Sequence, residues 1–572
     1  MSRDGFGWED GGPWIDPSSL PNPCALFRVT DSPFGPGWAV LSDPEVWTAF
    51  ELAEVVPLLS RVAESGRVAF GSVAYEAAAA FDPALMTHPA SGPLARFWVS
   101  RGPVRFYSAL VSVGETERLE SHTTWTSADY IARFARVHAA LGSGRTYQAN
   151  LTFPVEVQVD DPAAAFARLC GVHPPRFAAF LRDQDDWIAS LSPELFFDQR
   201  ADELHAQPMK GTAPQSLGPD FLPSSPKDRA ENLMIVDMIR NDLHHLTREV
   251  EVRRLFEVEP YGDLFQMTST IVARGRHSLV EVFRALFPCA SIVGAPKVET
   301  SRLLAELESG PRGVYCGALG VVWPDGKSTF SVAIRTLTPD GFGVGSGVVW
   351  DSTASGEFQE CLSKIQVLHD AKEPFGIITT GRIESDGTLL HHADHQARLE
   401  RSWKALGFPG DAPLLAVPEG ISGVIGRWLA TPSGAVTFSS RPIPAESEVR
   451  CIIASRRLRT GHPLQGHKTN VRPDYDAALA EARSHGADDA ILLNEQGEVT
   501  DTPFGNILFR RNGEWFTPPL SSGALPGVGR ALAIAQDGVK EAPLHQSEFQ
   551  SVEALVRVSA TRGQTPIKLI QP

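Results

Sequence analysis

Apolar positions along this chain follow two periods, and these divide it into strands and helices. From Thr146 to Val159 apolar and polar residues alternate, as in a strand with one buried face. Strand-like stretches also run over Trp187–Phe197, Leu204–Pro208, Val314–Trp323 and Phe375–Thr380. Between 24 and 125 short apolar runs are set off by turn signals, as where Pro33-Phe34-Gly35-Pro36-Gly37 precedes Trp38-Ala39-Val40-Leu41. The helical period predicts helices from Ser127 onward, with Thr126 or Ser127 as cap, and over 226–246 and 355–369. Residues 1–23, rich in Gly, Pro, Asp and Trp, predict a loose leader. A first body follows over 24–372, with an N-terminal part at 24–125 and a core at 126–370. The polar break Asp370-Ala371-Lys372-Glu373-Pro374 sets off a second unit over 375–572. Mixed strands and helices in both predict an α+β or α/β class.

Composition narrows the picture. The hydrophobic share of 42% and charged share of 21% are ordinary for a globular protein. A net charge of −16 argues against a nucleic-acid partner. There is no run of about 18 uncharged apolar residues, so no membrane span is expected. The first residues lack the basic-then-apolar order of a signal peptide. Cysteines at 24, 170, 289, 316, 361 and 451 form no CxxC or Cys/His cluster. That predicts buried free thiols and a cytoplasmic, reducing location.

The sharpest chemical string is Pro208-Met209-Lys210-Gly211-Thr212, where a predicted strand ends in a glycine turn. By itself Lys210 reads as a solvated cation. Upstream, however, stands Ser192-Pro193-Glu194-Leu195-Phe196-Phe197. Downstream, Asp228 and Glu231 share one helix face, and Ile235, Met238 and Ile239 roughly continue the stripe of Glu231. Glu357 and Glu360 repeat the spacing beside Phe358, Cys361 and Ile365. Acids so spaced occur on solvated helix faces. They equally suit Mg²⁺, which takes one or two carboxylates plus substrate oxygens and water. Pattern alone leaves both readings open.

These strings resemble the chorismate-utilising enzymes, together with Phe287-Pro288-Cys289-Ala290-Ser291-Ile292-Val293-Gly294-Ala295-Pro296-Lys297, Tyr315-Cys316-Gly317-Ala318-Leu319-Gly320, Ile334-Arg335-Thr336 and Gly345-Ser346-Gly347-Val348-Val349. That family includes anthranilate synthase component I, isochorismate synthase and aminodeoxychorismate synthase component I. The resemblance spans about 125–370, with the motifs in the family's order. Ala74-Tyr75-Glu76-Ala77-Ala78 and Phe81-Asp82-Pro83 resemble the same proteins less specifically. It implies antiparallel sheets with outer helices. It also implies that Lys210 is a nucleophile toward C2 of chorismate, because aminodeoxychorismate synthases carry Lys where anthranilate synthases typically carry Ala. By the same resemblance Glu194 is the general acid for the departing C4 hydroxyl, and ammonia then enters at C4. Glu231 and Glu360 match Mg²⁺ ligands, with Asp228 and Glu357 nearby. Tyr315, Arg335 and the backbone at Gly347 match contacts to the other carboxylate. Met209 replaces a common Ile, and Gln266 stands where anthranilate synthases have His, which fits the lysine branch. An anthranilate synthase-like enzyme is the alternative. Cys316 lies in Val314-Tyr315-Cys316-Gly317-Ala318, not in a Gly-x-Cys-x-Gly elbow. Ammonia is therefore expected from solution or a separate glutaminase subunit.

The second unit carries Gly466-His467-Lys468-Thr469-Asn470, Asp488-Asp489-Ala490-Ile491-Leu492-Leu493-Asn494, Val499-Thr500-Asp501-Thr502-Pro503-Phe504-Gly505-Asn506-Ile507 and Leu525-Pro526-Gly527-Val528-Gly529-Arg530. The last string suggests an anion at a helix entry. Together they resemble the fold-type IV pyridoxal-phosphate enzymes: branched-chain aminotransferase, D-amino acid aminotransferase and aminodeoxychorismate lyase. The resemblance implies two subdomains, pyridoxal 5′-phosphate as cofactor, and a unit able to pair with a second copy. It makes Lys468 the lysine that holds the cofactor covalently. Arg398, in His395-Gln396-Ala397-Arg398-Leu399, and the backbone at Val528 and Gly529 match phosphate contacts. His391, His392 and His395 cluster as metal ligands do, but the resemblance places them at the surface instead. Asp501 stands where the family usually has Glu facing the pyridine nitrogen, one methylene shorter. The order of the two units implies that the second acts on the first one's product. A lyase releasing pyruvate would complete a route from chorismate to 4-aminobenzoate, a folate precursor. An aminotransferase, or a scaffold that binds the cofactor without turnover, are the alternatives.

Overall fold

The computed structural model describes residues 7–30, 32–112, 119–261, 264–370, 372–444 and 448–570. Residues 1–6 of the expected leader and Ala371 of the polar break lie outside the described residues. The chain divides into two compact units. One comprises 1–10, 16–107 and 115–372, the other 11–15, 108–114 and 373–572.

The first unit is built on two large sheets, and the segments before and after residue 125 share both. Strand Phe177–Asp183 pairs antiparallel with Cys24–Val29 on one side and Asp186–Ser192 on the other. That sheet continues through Thr336–Thr338 and Gly341–Val348 to Gln148–Val157. In the second sheet Ala318–Val322 lies between Ala69–Val73 and Ser328–Val332. The order then runs through Leu195–Gln199, Glu203–Gln207 and Leu264–Arg274 to Met209–Pro214. An aromatic core backs this sheet. Phe197 stacks on Phe330 at 5.1 Å, and Phe283 meets both edge-on. Burying each such ring is worth roughly 1.5–3 kcal/mol.

Four elements differ from expectation. The stretch expected as one strand over Trp187–Phe197 divides into Asp186–Ser192 and Leu195–Gln199, which lie in different sheets. Residues 8–15, read as part of a loose leader, form a strand. Trp8 packs on Trp323 at 5.7 Å and Ile15 is buried, so apolar anchors outweigh the glycines. The strand expected over Val314–Trp323 begins only at Ala318, because a turn closed by Gly317 N–H to Val314 O precedes it. Lys210 does not stand at a strand end. It lies inside Met209–Pro214, whose register against Leu264–Arg274 shifts between Met209 and Thr212. Gly211, with φ of +92°, makes this irregularity possible.

The helices that carry the acids form where capping chemistry starts them. Ser225 accepts from Asp228 N–H at 3.3 Å, Pro226 occupies the first turn, and the helix runs over Pro226–Leu243. It buries Asn232, Ile235, Val236, Ile239 and Leu243 as one stripe. Helix Ala354–Ile365 is capped by Thr353 and buries Cys361 and Ile365. Thr126 caps Ser127–Gly142 in a reciprocal box with Asp129.

The second unit contains a three-stranded antiparallel sheet, Ile377–Ile383, Val424–Ala430 and Val436–Pro442. Its larger mixed sheet is parallel where Val449–Leu458 meets Asp489–Asn494 and Gly563–Leu569. Both units are mixed α and β. Among the described residues no helix is long and apolar enough to cross a membrane.

Candidate active sites

The strand irregularity at Gly211 presents Lys210 toward Gly347. A Cβ added at Gly347 would lie 3.0 Å from Lys210 Nζ and 3.4 Å from Gln148 Nε2. The absence of a side chain at 347 therefore makes room for the amine. Glu194 follows strand Asp186–Ser192, is buried, and accepts a 2.9 Å hydrogen bond on Oε1 from Ser291 Oγ. Burial raises its carboxyl to about 7, opposed by Ser291 and by the positive charges of Lys210 and Lys364. A carboxyl so placed holds a proton near neutral pH and can release it to a leaving group.

The acids expected to hold Mg²⁺ gather around this amine without closing on one another. Burial raises the Glu231 carboxyl, Lys210 and Lys227 oppose it, and Asp228 and Glu357 raise it further. Asp228 lies against Gly211, with Oδ1 3.4 Å from a Cβ built there. Glu357 accepts from Ser352 Oγ at 2.7 Å through Oε1, while its Oε2 is buried without a partner among the described residues. Glu360 is salt-bridged to Lys364 at 2.7 Å. Burial works against ionisation of Glu360, but Lys364, Lys210 and Lys227 hold it below the usual carboxylate range. Among the described residues no three His, Cys, Asp or Glu side chains form a ready cation cluster. The donor set still fits a hard cation. It has a stranded carboxylate oxygen and mutually repelling acids, and it leaves ligand positions to substrate and water.

The remaining expected residues of this unit are more dispersed. Gln266 is buried on the strand opposite Thr212 and Glu259. Arg335 sits at φ of +50°, with its carbonyl accepting from Leu191 N–H at 3.0 Å. Tyr315 packs on Gly343 and lines a cavity of about 680 Å³ that Lys210 and Glu194 do not line. Two residues were missed from sequence. Ser291 is the donor to Glu194. Gln148 is fully buried, and neither end of its amide has a partner among the described residues. No sequence signal marked Gln148, because the alternation puts it on the face expected to be exposed, whereas the first six residues of its strand are all buried.

In the second unit Lys468 lines a cavity of about 420 Å³ with Arg398, Asp501, Val528 and Gly529, so all five expected residues share one space. Desolvation, then the charges of Arg398, Arg472, Arg427 and Arg441, lowers the Lys468 ammonium well below the ordinary lysine range. That shift favours the neutral, nucleophilic form of the amine. Arg398 is buried and donates to Ile378 O at 2.9 Å, while its Nε has no partner among the described residues. Helix Val528–Asp537 opens at Gly527 without a side-chain cap. A Cβ at Gly529 would meet the backbone of Ser559 and Ala560, so glycine permits a close approach there. A phosphate fits this open helix start beside Arg398. Asp501 is buried and its carboxyl is raised to about 7 by burial, opposed first by the Leu525 N–H and then by Tyr475. Glu498 does not line the cavity and is tied to Asn494 Nδ2 and Ser522 Oγ at 3.0 and 2.8 Å. These residues fit pyridoxal phosphate, with an amine for its aldehyde, a carboxylate for its ring and an anion cradle. One expectation fails here. His395 is not at the surface but 2% exposed, lining the cavity with neither ring nitrogen partnered among the described residues. Helix His392–Ala405 turns it inward on the face that also buries Arg398 and Leu399.

Residues 109–370 match the chorismate binding enzyme family, and residues 376–570 match the amino-transferase class IV family. An aminodeoxychorismate synthase component 1 of Salmonella typhimurium is 39% identical over 261 residues, covering 43% of this chain and 58% of that protein. An anthranilate synthase component 1 of Haloarcula marismortui is 33% identical over 276 residues, 45% of this chain and 56% of that protein. The chain thus spans little more than half the length of these curated relatives. A crystal structure assigned to a 2,3-dihydroxybenzoate-specific isochorismate synthase of Bacillus anthracis aligns with a TM-score of 0.50 at 16% identity, covering 62% of this chain and 97% of that one. At that identity it supports the fold of the first unit.

Proposed function

From a chain that joins a chorismate binding enzyme domain to an amino-transferase class IV domain, we propose a bifunctional enzyme that converts chorismate to 4-aminobenzoate. The observation that carries the first half is the Lys210 amine, accommodated by the bare Gly347 in the electrostatic field of Glu194 and Glu231. Lys210 adds to C2 of chorismate as the C4 hydroxyl leaves, and Glu194 gives that oxygen its proton, so water departs. Ammonia then adds at C4 and the Lys210–C2 bond breaks, restoring the amine. Gln148 offers its amide N–H groups and its carbonyl oxygen to the ring substituents, neither end having a partner among the described residues. Mg²⁺, when bound by Glu231 and Glu360 with Asp228 and Glu357 close by, supplies charge neutralisation for the ring carboxylate. Tyr315, Arg335 and Gly347 are proposed for the second carboxylate, and Gln266 for the ring's surroundings.

Ammonia comes from outside this chain's own thiol chemistry. All six cysteines are buried, and burial pushes every thiol up, Cys316 to about 11. None of them is poised as a glutaminase nucleophile. The proposal therefore includes a separate glutaminase subunit, a cytoplasmic location that keeps the thiols free, and a second unit able to pair with another copy.

In the second half pyridoxal phosphate supplies the electron sink for breaking the C4–H bond. Lys468 takes the C4 proton, the C3–O bond breaks as the ring becomes aromatic, and the enolpyruvate leaving group takes up a proton to depart as pyruvate. Arg427 and Arg441 line the same cavity. Their positive charge suits a substrate with two carboxylates better than an amino acid with an apolar side chain, which favours the lyase over the aminotransferase.

Incubating the purified chain with chorismate, ammonia, Mg²⁺ and pyridoxal phosphate tests both halves. Equal yields of 4-aminobenzoate and pyruvate are expected, and Lys468→Ala should instead accumulate aminodeoxychorismate. Anthranilate as product overturns the first half. Aminodeoxychorismate accumulating with the parent chain overturns the second.

A further inference from the structure

The shorter carboxylate at 501 is braced by a residue that neither family resemblance nor motif singled out. Tyr475 Oη donates to Asp501 Oδ2 at 3.3 Å, and the Leu525 N–H donates to the same oxygen at 3.0 Å. Thr500 Oγ1 stands 3.4 Å from Oδ1 but also bonds Leu492 O at 3.1 Å, and its one hydrogen cannot serve both. Two donors thus converge on Oδ2, and Oδ1 keeps acceptor capacity in a residue that lines the cavity.

We propose that Tyr475 is a positioning residue that fixes the Asp501 carboxylate toward the ring nitrogen of pyridoxal phosphate. This rests on the reading of the second unit as a pyridoxal-phosphate enzyme. The segment that carries the brace also carries the reactive amine. Lys468 is followed by Arg472, then Pro473 opens helix Pro473–Ser484, and Tyr475 lies in its first turn. Arg472 lies over the Tyr475 ring at 5.1 Å and donates to Pro503 O at 3.0 Å, which holds the ring in place. The amine and the brace of its opposing carboxylate are therefore delivered by one short segment, Lys468 to Tyr475.

The brace answers a specific weakness. A glutamate could reach the ring by rotating its extra methylene. Aspartate cannot, so its reach depends on the direction in which its neighbours hold it. Burial alone would favour the neutral carboxylic acid at 501, and a neutral acid cannot keep a proton on the ring nitrogen. The tyrosine hydroxyl works against that by stabilising the ionised form.

The test uses the full chain, stripped of cofactor and titrated with pyridoxal phosphate while the visible absorbance band and Kd are recorded. Tyr475→Phe should weaken binding by about tenfold, the size expected for one hydrogen bond to a charged group. It should also diminish the band of the ring-protonated cofactor, as Asp501→Asn should. In an Asp501→Glu background the Tyr475→Phe penalty should shrink to less than about threefold, since the longer carboxylate needs less bracing. A Tyr475→Phe protein with parental Kd and spectrum overturns the proposal, even if its thermal midpoint falls. So does a Tyr475→Phe penalty that stays undiminished in the Asp501→Glu background. Failure of the parent chain to bind pyridoxal phosphate at all is a different result, and it removes the underlying reading together with the brace.

Discussion

Ser291 Oγ donates to Glu194 Oε1 at 2.9 Å, across 97 residues of sequence. The bond favours the ionised carboxylate, yet burial prevails and raises the group to about 7. The sign of the pH dependence follows. The acid form exists below about 7 and is lost as pH rises through it. Amination, with rates referred to free NH₃, should therefore fall above that pH. Ser291→Ala removes a donor to the charged form, so its alkaline limb should move upward. A limb that stays in place in the variant counts against Glu194 as the proton source.

Gly347 is not one of the left-handed glycines, so its backbone accepts alanine. The new Cβ would sit 3.0 Å from Lys210 Nζ, the flexible end of a long side chain. Gly347→Ala should leave the thermal midpoint close to that of the parent and cut the amination rate at least about tenfold, equivalent to about 1.4 kcal/mol of transition-state positioning. Lys210→Ala should abolish the reaction. Near-parental turnover in Lys210→Ala would remove the covalent role.

Gln148 separates stability from function. A buried polar group left unpaired costs about 1–3 kcal/mol. Gln148→Leu, of similar volume, should be neutral or stabilising in thermal unfolding while amination falls steeply. A destabilised variant with normal rates would make Gln148 a structural residue.

Metal dependence should follow the clustered acids. Glu231→Gln removes negative charge beside Asp228 and Glu357, and Glu357→Gln neutralises the carboxylate whose Oε2 has no partner among the described residues. Glu357→Gln should weaken the apparent Mg²⁺ affinity by about 10–100-fold, and Glu231→Gln by at least as much. Identical Mg²⁺ titrations for parent and both variants would leave these carboxylates without a metal to hold.

The sequence alone determined the local units and named the candidates for the chemistry. Ser225-Pro226 and the spacing of Ile235, Val236 and Ile239 start and bury a helix whatever lies elsewhere, because caps and periodicity act within a few residues. Thr126 with Asp129 does the same. Lys210, Glu194 and Lys468 were legible as candidates because each stands in an ordered string of residues rather than alone.

Only the tertiary structure decided which face of each element is covered and which side chains meet. Alternation from Thr146 predicted one exposed face, yet Gln148 is buried because strands and helices cover both faces of its first residues. His395 was expected at the surface, but it is buried with Arg398 on one helix face, and both line the cavity. The leader's glycines suggested disorder, yet Trp8 found Trp323, far away along the chain. Contacts such as Ser291 with Glu194 and Tyr475 with Asp501 depend on sheet order and strand register. Those are fixed by burying the whole apolar surface at once, a global condition that no short window of residues contains.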